Sequence, residues 1–369
     1  MRPTRLEFRF MQSKSYIFDS HLSILIWIFI FLVFPVFSIF KESIFPNYYF
    51  WDAGTIYRFM TADSPLKLFD SYASTAAFYN LLDVERHSAL FPVISSIIII
   101  SNFYYVLKKS NAERITLLEF MVYLYCILLS IIYMTLLSKD FIVLLFIIPF
   151  LPLSKRGVIG LLVWTMLAIF YAVFFRGYWL IMLGMFWFFY FSMAFFKKPI
   201  IMIFLGFFIL FCLAVVFKLS LGIDVDNYRN MVNDVRLEVA DENARTMIIS
   251  YIPGGGLIIS WMNVCLTWLF MMIPVPLLIS FSPFYIIIAF FIMILWFKFW
   301  KSVKIEMINR SDKQLRAIIS LVLSFTVVQS IFEPDYGSYV RHLSPFYPLF
   351  FYALFTSYRA ITDVAKNKE

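Results

Sequence analysis

The stretch FEPDYGSYVRHLSPFYPLFF, residues 332–351, sets Glu333, Asp335, Arg341 and His342 between two apolar runs. An imidazole or a carboxylate can take the proton of a hydroxyl, and a guanidinium can hold an oxyanion through its two-pronged fork. Two other short turns carry similar groups. LSKDF (137–141) holds Lys139 and Asp140, and FFRGYW (174–179) holds Arg176, Tyr178 and Trp179. A long polar stretch, 218–255, adds Arg229, Arg236 and Arg245 among several acids.

Each group also has a plain reading. A single Arg or Lys at a helix end can be a snorkelling anchor, and Tyr178 and Trp179 can belong to an interfacial aromatic belt. Lys139 and Asp140 can be a capped turn. The sign of the charge favours the functional reading, because arginines gathered on an outer membrane face run against the positive-inside bias. They imply an anion to be held there, and phosphate suits guanidinium. No GxxxxGK or GxGxxG loop is present; PGGGL (253–257) reads as a hinge into the membrane. Three histidines without an HExxH, and Cys126, Cys212 and Cys265 scattered in apolar sequence, imply no metal site and no disulfide framework.

The elements that must position these groups are membrane helices. The chain of 369 residues is 62% hydrophobic, with 46 Phe and only 15% charged residues, and its mean hydropathy is +0.84. A soluble domain carries about 25% charged residues, so there is too little polar surface here to cover a water-soluble globule. Apolar runs of about 20 residues imply helices, since backbone groups in lipid must be satisfied internally and no barrel alternation is present. The expectation is an all-α, polytopic transmembrane helix bundle forming one integral membrane domain over 1–369. Ten spans read at about 21–40, 91–107, 116–137, 141–153, 158–175, 178–196, 199–217, 277–297, 317–332 and 343–358. The first follows a basic N-terminus but lacks a small-residue cleavage site, and reads as a retained helix.

The basic residues set the orientation. Arg2, Arg5, Arg9 and Lys14, then Lys108, Lys109 and Arg114, then Lys155 and Arg156, then Lys197 and Lys198, all fall on one side with KFWKSVKIEMINRSDKQLR (298–316). That side is cytoplasmic, with both termini on it, and the long loops 41–90 and 218–255 lie outside. Parity then requires 256–276 to lie in plane on the outer face or to dip into it, with Pro274 and Pro276 turning the chain. The net charge of +8 is this cytoplasmic rim and needs no nucleic acid as partner. Glu119 is nearly the only ionisable group inside the spans, which counts against an ion-coupled transporter.

With LLSKDFIVLL, FFRGYWLIM and FEPDYGSYVRHLSPFYPLF, the helix count and the late large loop, the chain from about 90 to 358 resembles the O-antigen and capsular polysaccharide polymerases, the Wzy family. The resemblance implies a GT-C-like architecture in the bacterial inner membrane and a metal-independent, cofactor-free transfer at the periplasmic face. Undecaprenyl-diphosphate-linked oligosaccharides would be donor and acceptor, membrane lipid the surroundings, and a chain-length regulator protein a partner. Arg176 and Arg341 would stabilise the leaving diphosphate, with Arg236 and Arg245 as further candidates. His342, Asp335 or Glu333 would act as base, and Lys139, Asp140 and Tyr178 would contact substrate. Rival readings are a lipid-phosphate-sugar glycosyltransferase using an acid such as Asp52 of FWDAG in the first outer loop, a flippase for the same lipid-linked units, and a membrane acyltransferase.

Overall fold

The computed structural model describes residues 16–17, 20–86, 88–110, 114–238, 246–310 and 312–366. Within these the chain is a helical bundle; the strands are the two-residue pair β1 (Tyr16–Ile17) and β2 (Arg114–Ile115). The helices are α1 (Ser20–Ile44), α2 (Trp51–Thr61), α3 (Ser71–Leu81), α4 (Leu90–Lys109), α5 (Leu117–Met134), α6 (Lys139–Ile147), α7 (Phe150–Ser154), α8 (Gly157–Phe174) and α9 (Trp179–Phe195). They continue with α10 (Ile200–Leu221), α11 (Asn227–Glu238), α12 (Leu257–Met272), α13 (Val275–Ile279), α14 (Pro283–Asn309), α15 (Lys313–Phe332), α16 (Tyr336–Leu343) and α17 (Tyr347–Lys366).

Seven described helices (α1, α4, α5, α8, α10, α14 and α15) are long and apolar enough to cross a membrane. Two further apolar helices are shorter, α9 with 17 residues and α12 with 16. The expected span at 141–153 is broken into α6 and α7 beside Pro149, whose ring removes a backbone donor. Among the described residues, seven helices of spanning length and the shorter α9 and α12 stand against about ten spans read from the sequence. Within the 256–276 segment, helix α12 packs inside the bundle, with Trp268 fully buried and its indole N–H donating to Thr326 of α15 at 3.2 Å. The six-membered ring of that indole lies against Gly206 of α10, where a Cβ would meet Trp268 ring carbons at 2.4 Å. The long loop 218–255 does form the expected helix, α11.

Local sequence explains the boundaries. Thr116 and Glu119 form a reciprocal capping box at the start of α5, and Asp312 accepts from Gln314 and Leu315 N–H at the start of α15. Gly222 ends α10 with φ 70°, a conformation that a glycine adopts without a Cβ penalty. Apolar side chains elsewhere face outward in number, among them Phe29, Leu32, Phe204 and Phe208, as a lipid-facing surface requires.

Helix α15 is the central post. Of its apolar window 94% is buried, and it packs against α9, α12 and α17. Its Ser320, Ser324, Thr326 and Ser330 hydroxyls donate back to the helix's own carbonyls, so small polar side chains enter the interior with their donors satisfied. One end of the bundle is tied by Lys298–Glu119 at 2.6 Å, Arg316–Glu306 at 3.3 Å and Arg310 donating to the Phe195 carbonyl. The other end carries the three chemically suggestive turns. There Lys41 of α1, fully buried, donates to the Ile131 and Ile132 carbonyls at 3.1 Å and to the Thr135 hydroxyl, satisfying the open end of α5.

The two ends give a direct test of the orientation. With a membrane-impermeant thiol reagent on intact cells, a cysteine at exposed Asp234 of α11 is expected to react and one at exposed Lys197 is not. The reverse pattern would invert the bundle.

Candidate active site at one end of the bundle

The turn before α6 is built around a tyrosine. Tyr79 of α3, fully buried, donates its hydroxyl to the Ser138 carbonyl at 2.7 Å and accepts from the Ser138 N–H at 3.0 Å. Ser138 in turn caps α6, its hydroxyl accepting from Asp140 N–H at 3.1 Å. Asp140 thus sits in the first turn of a helix, where the backbone N–H groups favour negative charge.

Two arginines from distant turns meet this carboxylate. Arg176, in the turn between α8 and α9, places Nη2 3.0 Å from Asp140 Oδ1, and its Nη1 donates to the Tyr178 hydroxyl at 3.0 Å. Arg341 of α16 brings Nε to 3.6 Å from Asp140 Oδ2 and Nη1 to 2.9 Å from Asp52 Oδ2 of α2. The Tyr72 hydroxyl donates to Asp52 Oδ1 at 2.7 Å, and Lys139 Nζ stands 3.2 Å over the Tyr72 ring. Three cations therefore surround two aspartates, leaving a positive excess before Glu333 is counted. Asp140 is 2% exposed, whereas the Arg341 and Asp52 side chains are 23% and 31% exposed. The cluster is buried at Asp140 and open at Asp52.

His342 and Glu333 complete it. His342 Nδ1 lies 2.8 Å from Glu333 Oε2, which caps the far end of α15, and Nε2 faces the cluster, 3.5 Å from Arg341 Nη2 and 3.9 Å from Asp140 Oδ1. Burial pushes the Glu333 carboxyl well up, and Asp335 adds to it. Burial, with Arg176, Arg341 and Lys139 adding, pushes His342 well down, so the imidazole stays neutral at neutral pH. Burial opposes ionisation of Asp52, but Arg341, Lys139, the Tyr72 hydroxyl and Arg176 outweigh it and hold the carboxyl below its usual range. Lys139 is lowered to about 8 by burial, against the upward pull of Asp52.

Seven of the expected residues thus converge: Lys139, Asp140, Arg176, Tyr178, Glu333, Arg341 and His342. Asp335 serves α16 as its N-cap, accepting from Ser338 N–H at 2.7 Å, and its backbone pairs with Met247. Arg236 lies on α11, its side chain outside the described residues, and Arg245 lies outside them altogether. The loop arginine that the structure does place, Arg229, is fully buried and donates to Thr267 and to the Ser330 carbonyl, joining α11 to α12 and α15.

Asp52 joins the cluster although the sequence marks it only as the acid of a rival class. Tyr72 and Tyr79 carry no signal in the sequence beyond being seven residues apart on one face of α3. Comparison with protein-family models, with curated proteins and with solved structures finds no match for this chain.

Removing one partner of a buried ion pair costs about 3–5 kcal/mol because the other charge is left uncompensated. Asp140→Ala is therefore expected to lower the thermal unfolding temperature of the detergent-solubilised protein clearly. Lys67→Ala, at the exposed Lys67–Asp70 pair, should change stability by less than about 1 kcal/mol. Equal effects would show that Asp140 is not the keystone of this end.

Proposed function

We propose that the protein is a glycosyltransferase that joins lipid-diphosphate-linked oligosaccharide repeat units, an O-antigen or capsular polysaccharide polymerase acting at the periplasmic face of the bacterial inner membrane. The observation that carries this reading is the pairing of two guanidiniums on one buried carboxylate beside a neutral imidazole, in a chain that otherwise presents apolar surface. Such a site offers an anion clamp and a proton acceptor together.

In the proposed reaction the hydroxyl oxygen of the acceptor sugar bonds to the donor's anomeric carbon. The bond from that carbon to the undecaprenyl diphosphate oxygen breaks, and the hydroxyl proton passes to the base. Arg341 and Arg176 stabilise charge developing on the departing diphosphate, with Lys139 as a third cation. At rest Asp140 and Asp52 offset two of these three charges, and the arriving diphosphate competes with the more exposed Asp52. His342 is assigned as base: Nδ1–H donates to Glu333 and Nε2 presents its lone pair to the cluster, which the 3.5 Å approach of Arg341 Nη2 supports.

A second reading follows from the 2.9 Å Asp52–Arg341 contact. In a lipid-phosphate-sugar glycosyltransferase an acid of the first outer loop, here Asp52, would be the base. Both Asp52 oxygens are already engaged, one by the Tyr72 hydroxyl and the other by Arg341, which favours His342. Activity that survives His342→Gln but not Asp52→Asn would reverse the two.

Deletion of the gene is expected to leave single lipid-linked units made and translocated but unjoined, read as surface glycan carrying at most one unit. Units trapped on the cytoplasmic side would point to a flippase instead. Arg341→Lys and Arg176→Lys should insert normally and lose about 10²–10³ in rate, since lysine cannot reproduce the fork, whereas exposed Arg58→Lys should be nearly silent and chelators should leave the wild type active.

The pH profile tests the charges separately. Lys139 is cationic below about 8 and neutral above, so activity should decline as pH rises through that value, and Lys139→Arg should remove the decline. A neutral His342 stays able to accept a proton below the ordinary histidine value of about 6.5, so the acid limb should lie lower than that. An acid limb at or above 6.5 would remove His342 as base.

A further inference from the structure

The first outer loop does more than deliver Asp52. Helices α2 and α3 and the turn 82–86 border an open surface groove of about 400 Å³, lined by Tyr57, Met60, Thr61, Asn80, Val84, Glu85 and Arg86. That volume is in the range of small-ligand sites, about 300–1,000 Å³. Its lining combines an aromatic ring, an amide, a hydroxyl, a carboxylate and a guanidinium. The Arg86 guanidinium lies 5.1 Å from the Tyr57 ring centre, and Asn80 Nδ2 donates to the Met60 carbonyl at 3.1 Å, which holds the two walls together.

The groove and the charged cluster share their helices. Asp52 lies in the first turn of α2 and Tyr72 near the start of α3, while Tyr57, Thr61 and Asn80 lie further along the same two helices. At a rise of 1.5 Å per residue, Tyr57 and Thr61 stand about 8 Å and about 14 Å along α2 from Asp52. Val84, Glu85 and Arg86 also line a narrow crevice that reaches Leu136 and Leu137, just before Lys139 and Asp140. A chain-like ligand anchored at the cluster would therefore run naturally into the groove.

The charge balance says what kind of ligand. The cluster has three cations around Asp52 and Asp140 and suits a diphosphate. In the groove Glu85 and Arg86 offset each other, so nothing there favours a phosphate. Paired donors and acceptors beside an aromatic face suit a pyranose ring, whose C–H face stacks while neighbouring hydroxyls bond to amide, carboxylate and guanidinium.

The geometry points to this groove as a glycan subsite that holds sugars of the repeat unit remote from the reacting one, with the Tyr57 ring and the Arg86 guanidinium laid over it as one wall and Asn80, Glu85 and Arg86 as the hydroxyl-reading groups. This assignment rests on the glycosyl-transfer reading and extends it. The subsite spends binding energy on non-reacting sugars, which holds the reacting hydroxyl or anomeric carbon at the cluster.

The test uses the full chain in lipid nanodiscs and the repeat-unit oligosaccharide freed from its lipid diphosphate by mild acid. Saturation-transfer NMR is expected to show the oligosaccharide bound to the wild type, with affinity about tenfold weaker in Tyr57→Ala and in Arg86→Ala. Tyr57→Phe, which keeps the ring, should bind like the wild type and so separates stacking from misfolding. With intact lipid-linked units, Tyr57→Ala should raise KM by more than it lowers kcat, whereas Arg341→Lys should lower kcat. Inorganic diphosphate should not displace the free oligosaccharide from the groove.

No binding to the wild type, equal binding to Tyr57→Ala, or displacement by diphosphate or by anionic lipid would each overturn the subsite. A wild type that polymerises while the groove variants behave identically would remove the subsite and keep the polymerase. Oligosaccharide bound in the groove by a protein that never joins lipid-linked units would do the reverse.

Discussion

A carboxylate taken out of water must be paired, and Asp140 is the carboxylate on which this end of the molecule turns. It is buried, it meets Arg176 from the α8–α9 turn, and Arg341 approaches it from α16. Arg176, itself nearly buried, would face a severe desolvation cost without it, and it would face the same cost without the arginines. Three parts of the chain that are 36 and 165 residues away from one another along the sequence, counting 140 to 176 and 176 to 341, are held in register by this shared charge. The local packing follows from that requirement, down to Tyr79 gripping both polar groups of the Ser138 backbone.

The same constraint explains why the site has a closed and an open side. Asp140, Glu333 and Tyr79 are shielded, so their geometry is rigid and their electrostatics are little screened. Asp52, Arg341 and Lys139 stand nearer the surface. Helix α16 links the two sides. Asp335 caps its start, Tyr336 donates to the Phe270 carbonyl of α12, and Arg341 and His342 lie in its last turn. Any shift of α12 or of the segment 246–252, which bonds to Pro334 through Ile248 N–H, would reach the arginine and the imidazole together.

In a bilayer the hydrophobic effect does not distinguish lipid from protein interior, so packing and polar contacts must select the arrangement. This chain supplies both. Trp268 against Gly206 brings α10 and α12 into close contact, and Trp296 N–H meets the Tyr339 hydroxyl, joining α14 to α16. At the far end Glu119 with Lys298 and Glu306 with Arg316 tie helix termini. Among the described residues the charged groups thus collect at the two ends, and one of these ends combines them with the His342 imidazole and an adjoining groove.

Much of this architecture is legible in the amino-acid sequence. Hydropathy and the lack of strand alternation determine an all-α membrane bundle, because a lipid-facing backbone has no alternative way to satisfy its hydrogen bonds. Side-chain chemistry in three short turns also marks Lys139, Asp140, Arg176, Glu333, Arg341 and His342, since charges are conspicuous in so apolar a chain. Depth and pairing are not legible. Hydropathy counts α12 and the 141–153 run as segments but cannot see that one packs inside the bundle and the other breaks beside Pro149. In the sequence Asp52 resembles any loop acid, Tyr72 and Tyr79 any of 22 tyrosines, and Asp335 a base equal to its neighbours. Which carboxylate meets a guanidinium, which one caps a helix, and which tyrosine grips a turn depend on contacts between residues distant in sequence, and only the tertiary structure decides those.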